Sequence, residues 1–203
     1  MSLWYLGRAT GVCAIVLLTL SLALGIAVNR KVRVPGLSGF AVAAIHRNVS
    51  LLVVAFLGVH IASNIIDPYA SVRWADAVIP FISSYRPVWL GLGAFAFDLL
   101  IAVVITSLVR ARIGPRTWKA VHWAAYALWP VAFVHGLFAA DDLRSGPLLV
   151  VDAICVLIVA GAVIFRLLNS SRVVPRHKRA QFLLTEQRER LVSEPAPVQQ
   201  FLP

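Results

Sequence analysis

The 203 residues carry a net charge of +10, yet 60% of them are hydrophobic and only 14% are charged. The mean hydropathy of +0.82 excludes an ordinary soluble domain. The Lys and Arg residues lie in short loops and in the C-terminal tail rather than on one amphipathic face, so they indicate membrane topology and not binding to nucleic acid. The composition therefore predicts a multi-pass protein of the cell (inner or plasma) membrane, in contact with lipid.

Five apolar stretches are each long enough to cross about 30 Å of hydrocarbon, which needs about 20 residues. In chain order they cover about residues 9–28, 40–66, 88–109, 118–140 and 148–168. The first is longer than the core of a signal peptide, so we interpret it as a retained helix. The sequence predicts an all-α integral membrane protein, with a five-helix transmembrane domain over residues 1–170 and a basic, partly disordered tail over residues 171–203.

The distribution of Lys and Arg predicts the orientation, because positively charged short loops stay on the cytoplasmic side. Basic clusters follow the first, third and fifth stretches, starting at Arg30, Arg110 and Arg172. The alternate loops carry few basic residues, and acidic residues partly offset them. We therefore expect the N-terminus outside and the tail in the cytoplasm, and the second and fourth helices then both run outward.

Four of the five histidines lie in only two of the predicted helices. A histidine in hydrocarbon usually has a partner, and neutral imidazole is a common axial ligand of haem iron. In the second helix, His46 and His60 are 14 residues apart, which places them about 21 Å apart along the axis and on nearly one face. Since the two helices run in the same direction, depth pairs His46 with His122 and His60 with His135. These four histidines are the predicted metal ligands of two b-type haems.

The fourth helix fits this arrangement less well. His122 and His135 are 13 residues apart, which gives about 20 Å along the axis but an angular offset of about 140°. Pro130 lies between them, and we expect it to bend or re-phase the helix. A zinc or di-metal site is disfavoured, because no carboxylate or cysteine lies near these depths in the same two helices.

Basic side chains and glycines add candidates around the histidines. Arg47 lies beside His46 and is the predicted haem-binding arginine. Gly58 and Gly136 lie close to histidines in the sequence, and we expect them to let the flat ring of a haem approach the backbone. Three further arginines are candidate partners of the haem carboxylates: Arg8, Arg73 and Arg144.

The histidine pattern resembles that of a known family. His46-Arg47 followed by His60, and residues 121–123 followed by Trp129-Pro130 and His135-Gly136, resemble the ferric reductase-like transmembrane domain of ferric reductases and NADPH oxidases. Residues 7–11 are similar to the first helix of short, five-helix bacterial members. The resemblance covers about residues 5–168. It implies a bundle that encloses two bis-histidine haems, takes electrons from a cytoplasmic flavin and delivers them outside.

The sequence departs from the larger members of that family, which have a further N-terminal helix and a fused domain for flavin and nicotinamide. A nucleotide-binding domain needs on the order of 100 residues, so we expect no FAD or NAD(P) site in this chain. The expected electron donor is a separate cytoplasmic flavoprotein reductase or a quinol, and the acceptor lies outside.

Three functions are consistent with these features. The first is an oxidoreductase subunit that transfers electrons across the membrane and needs a separate donor protein. The second is the haem-carrying membrane subunit of a periplasmic repair reductase. The third is a haem-free membrane anchor or permease whose histidines bond to neighbouring helices.

Overall fold

A computed structural model of the chain describes residues 2–32, 35–68, 72–139, 146–169, 184–187 and 189. Four of its helices are long and apolar enough to cross a membrane, with mean hydropathies between 2.2 and 2.9 over their most apolar windows. They are α1 (Ser2–Arg30), α2 (Gly39–Ile66), α4 (Pro87–Leu108) and α8 (Pro147–Leu168). The described residues contain no strand. The predicted all-α membrane fold is thus confirmed, and the chain is a multi-pass membrane protein.

Local sequence explains where these helices begin. The hydroxyl of Ser38 accepts a hydrogen bond from the amide of Ala41 and so caps the first turn of α2. α4 begins at Pro87, where the missing amide proton is not needed. Large apolar side chains such as Leu51 and Leu157 remain exposed on the helices. Such a surface suits lipid rather than water.

Four shorter helices connect the long ones: α3 (Trp74–Val78), α5 (Arg110–Ile113), α6 (Pro115–His122) and α7 (Ala125–Ala139). The predicted fourth span, residues 118–140, is therefore not one helix but two, and the structure has four long apolar helices where five were predicted. We call residues 115–139 the α6–α7 segment.

The division of this segment changes the angle between its two histidines. The amides of Ala124, Tyr126 and Ala127 donate to carbonyls three residues earlier, at 2.8–3.0 Å. Such 3₁₀ bonding advances the chain by about 120° per residue instead of about 100°. Three such residues reduce the offset expected for one straight helix from about 140° to about 80°. The expected re-phasing is present, but it lies at residues 123–124, whereas Pro130 lies inside α7 without interrupting it.

The helices pack around a small apolar core. α1 lies against α2, α4 lies against α7, and α1 also contacts α7. Val53, Leu100 and Leu128 are buried at the centre. The indole of Trp129 donates a hydrogen bond to the Thr19 hydroxyl at 2.8 Å, which joins α7 to α1 in the interior. Residues 1–163 form one unit, which contains the four histidines, and residues 164–203 form a second unit.

Candidate functional site

His60 on α2 is held by the helix beside it. Its Nδ1 donates a hydrogen bond to the backbone carbonyl of Gly7 at 2.7 Å. The ring lies against Gly11, where a Cβ would come within 2.9 Å of Nδ1. Because a carbonyl can only accept, Nδ1 carries the proton, and Nε2 keeps the lone pair with which a neutral imidazole binds a metal.

His46 repeats this arrangement at the other end of the same two helices. Its Nδ1 donates to the carbonyl of Ser21 at 3.0 Å. A Cβ at Gly25 would lie 3.3 Å from its Cε1. Since α1 and α2 are antiparallel, the 14-residue interval between the histidines recurs in α1, both between the two carbonyls and between the two glycines.

His135 on α7 is held in the same way by α4. Its Nδ1 donates to the carbonyl of Trp89 at 2.7 Å, and a Cβ at Gly93 would lie 2.6 Å from its Cε1. The rings of His135 and His60 are neighbours, with centroids 6.4 Å apart and planes at 85°. The part of the chain that the structure describes contains no group of three or more metal-ligating side chains. The pair is therefore a two-histidine site.

A cavity of about 580 Å³ opens beside this pair and is lined by both rings. Its volume lies within the range of cofactor pockets, about 300–1,000 Å³. Apolar side chains such as Leu57 and Phe97 form much of its wall, and Arg8 and Arg86 line it as well. The residues fit a haem, because they supply two imidazoles for the iron, apolar walls for the ring and cations for its carboxylates.

His122 differs from the other three histidines. It lies half-buried at the end of α6, and its ring stacks on Trp118 with centroids 4.8 Å apart. It interacts electrostatically with His46. Its Nδ1 is buried and has no hydrogen-bond partner among the described residues. The structure thus brings His122 near His46 but leaves it without the backbone acceptor that the other histidines have.

The candidate arginines differ in their surroundings. Arg47 is exposed on α2 and follows His46, so it lies at the level of His46 and not at the cavity beside His60 and His135, and its role stays a prediction. Arg73 instead pairs with Asp76 at 2.8 Å, and its guanidinium holds the pKa of that carboxyl below its usual range. Arg8 lines the cavity, which is consistent with its predicted role as a partner of the haem carboxylates. The remaining candidate, Arg144, lies outside the described residues.

Arg86 was not among the candidates that the sequence indicated. Arg86 precedes α4 in the left-handed conformation, with φ at 45°, and its guanidinium donates to the carbonyl of Phe138 at 3.1 Å. This bond joins the start of α4 to the end of α7 at the cavity. A lone arginine before a proline carries no sequence signal for such a role.

The glycines that contact the histidines were not identified from the sequence. A Cβ at Gly58 or Gly136 would meet nothing within 4 Å, and Gly136 lines the cavity, so the approach of a flat haem ring to these two glycines stays a prediction. The glycines that lie against histidine rings are on the neighbouring helices: Gly11, Gly25 and Gly93. The 14-residue interval from Gly11 to Gly25 equals the histidine interval in α2 and was the available signal.

One comparison with known proteins gives a match. The family model described as ferric reductase like transmembrane component matches residues 10–133, more than half of the chain. The match includes three of the four histidines and ends just before His135. No curated protein and no solved structure matches the chain.

Proposed function

Since the chain belongs to the family of ferric reductase-like transmembrane components, we propose that it transfers electrons across the cell membrane through two b-type haems. One haem is held by His46 and His122, and the other by His60 and His135. The chain is then the membrane component of an oxidoreductase. We call the first pair the inner pair and the second the outer pair, after the orientation that the loop charges predict.

The observation that carries this proposal is the outer pair. Its two imidazoles come from different helices, are 6.4 Å apart, and each uses Nδ1 to bind a backbone carbonyl. Histidines that ligate metals almost always donate the other ring N–H in this way, because the bond orients the ring and strengthens the ligand. A histidine that only links two helices has no need of a second imidazole beside a large cavity.

The surrounding residues support the same chemistry. A bound haem supplies a one-electron carrier. Arg8 and Arg86 place positive charge at the cavity, where carboxylates are favoured over neutral groups. Val53, Leu100 and Leu128 pack together in the interior and form part of the apolar wall of the cavity, as the ring of a haem requires.

The loop charges set the proposed direction. Basic clusters in the loops after α1 and α4 and in the tail are retained in the cytoplasm. The donor is then a cytoplasmic flavoprotein reductase or a quinol, which meets the inner pair first. The acceptor lies outside, near the outer pair.

An absorption spectrum of the detergent-purified protein, expressed with adequate haem supply, tests the proposal. We expect a low-spin b-type spectrum that sharpens on reduction, with two haems per chain. His60→Ala and His135→Ala should each lose the outer haem and retain the inner one, whereas His177→Ala should retain both. A colourless wild-type protein would support a haem-free anchor or permease instead.

Electron entry has its own test. Without a partner protein, the purified wild-type protein should not oxidise NADPH, whereas a reductant that acts directly on haem should reduce it. Oxidation of NADPH by the chain alone would contradict the proposed need for a separate donor.

A further inference from the structure

Three of the four histidines share one arrangement on the neighbouring helix. Each donates its Nδ1 proton to a backbone carbonyl, and a glycine lies four residues after that carbonyl, at positions 11, 25 and 93. In a helix, the side chain at position i+4 lies beside the carbonyl of residue i, and a Ser or Thr there bonds that carbonyl itself. Glycine leaves the carbonyl open to a second donor and leaves space for the ring.

The antiparallel register shows which part of α4 lies level with His122. His135 bonds to Trp89, and the indole of Trp118 donates to the hydroxyl of Ser107 at 3.3 Å. His122 lies one turn after Trp118 and stacks on it. Because α4 runs in the opposite direction, the residue level with His122 lies one turn before Ser107, at Val103. The carbonyls of residues 102 and 103 are therefore the ones at the level of His122.

Both of these carbonyls already bond to side chains of their own helix. The hydroxyl of Thr106 donates to the carbonyl of Ala102 at 2.6 Å, and the hydroxyl of Ser107 donates to the carbonyl of Val103 at 2.6 Å. Thr106 lies four residues after Ala102, at the position where the helices beside the other three histidines carry a glycine. The Nδ1 of His122 is the buried ring nitrogen without a partner among the described residues.

We infer that Thr106 is a positioning residue that denies His122 a backbone acceptor and so makes the inner pair the weaker of the two haem sites. This inference rests on the proposed haem ligation. Loss of such an outer partner typically lowers metal affinity by about 10-fold to 100-fold. A ligand without it also donates less charge, which stabilises the reduced state. The inner haem is therefore released first and has the higher reduction potential.

Substitution of Thr106 tests the inference. Thr106→Gly frees the carbonyl of Ala102 and reproduces the arrangement of the other three histidines, whereas Thr106→Ala frees the carbonyl but keeps a Cβ beside the ring. In Thr106→Gly we expect the inner haem to transfer to apomyoglobin about 10-fold more slowly and its reduction potential to become more negative, while the outer haem is unchanged; in Thr106→Ala the same shifts should be smaller. Thr106→Val is the matched control, because it removes the hydroxyl but keeps the branched side chain between ring and carbonyl. In the His135→Ala background, which should lack the outer haem, the remaining spectral signals belong to the inner haem.

The outcomes are distinct. If Thr106→Gly and Thr106→Ala both hold two haems with wild-type potentials and release rates, the inference is wrong. An equal shift in Thr106→Val also contradicts it, since no acceptor becomes accessible in that variant. A wild-type protein without haem contradicts the proposed function itself and is recognised before any variant is made.

Discussion

At the scale of single residues, three glycines decide whether a histidine ring can reach its carbonyl. A Cβ would lie 2.6 Å from the ring of His135 at position 93, 2.9 Å from His60 at position 11, and 3.3 Å from His46 at position 25. The rings cannot simply move away, because each is bonded through Nδ1 to the same helix. The size of the overlap therefore predicts which glycine-to-alanine substitution weakens haem binding most.

We predict that Gly93→Ala and Gly11→Ala lose the outer haem, and that Gly25→Ala retains most of the inner one. Overpacking of this kind destabilises a protein by about 1–3 kcal/mol, with the largest effect at position 93. Haem content per chain and the thermal unfolding midpoint measure it. Gly58→Ala is the control, since nothing lies within 4 Å of a Cβ there. Equal haem loss in Gly58→Ala and Gly93→Ala would argue against a specific contact.

At the scale of helices, one interior hydrogen bond joins the two halves of the bundle. Thr19 on α1 is 1% exposed and Trp129 on α7 is 7% exposed, and their side chains bond at 2.8 Å. Water cannot replace this bond in the apolar interior. It fixes α7 against the helix that also holds the two histidines of α2.

We predict that Thr19→Val, which is nearly isosteric, lowers the free energy of unfolding by about 0.6–1.7 kcal/mol, between the average and the maximum measured for hydrogen bonds between membrane helices. Unfolding by SDS in mixed micelles measures it. In the Trp129→Phe background, the same substitution should have almost no further effect, because the donor is already absent. Full additivity of the two substitutions would show that the bond contributes nothing.

At the scale of the whole molecule, the predicted topology depends on the charges of the loops and on the α6–α7 segment. The segment is not one long helix, yet the proposed histidine pairs require it to run the full depth of the bundle. We predict that reporters fused after residues 114 and 203 are active in the cytoplasm, and that reporters fused after residues 82 and 143 are active outside.

The two fusions on either side of the α6–α7 segment show whether this segment crosses the membrane. If the reporters after residues 114 and 143 are active on the same side, the segment does not cross the membrane and the histidines are not stacked along its normal. If every fusion reports the opposite side, the pairs remain but inner and outer are exchanged. Fusions after residues 82 and 114, on either side of α4, serve as the control for a crossing helix.

The sequence alone determined that this is a helical membrane protein, and it predicted that four histidines lie at two levels. Hydropathy and histidine spacing are properties of one continuous stretch of chain, and they can be read without knowledge of its neighbours. The same reasoning located α1, α2, α4 and α8. It could not locate the break at residues 123–124, because several of its amides bond three residues back instead of four, and no proline or glycine marks the place.

Only the tertiary structure decided what surrounds each histidine. The carbonyls of Gly7, Ser21 and Trp89 became acceptors through the register between antiparallel helices, and Arg86 came to line the cavity beside His60 and His135. Register depends on how the side chains of two helices pack together. A pattern read along one helix can therefore place a ligand at its depth but cannot identify the residues that hold it.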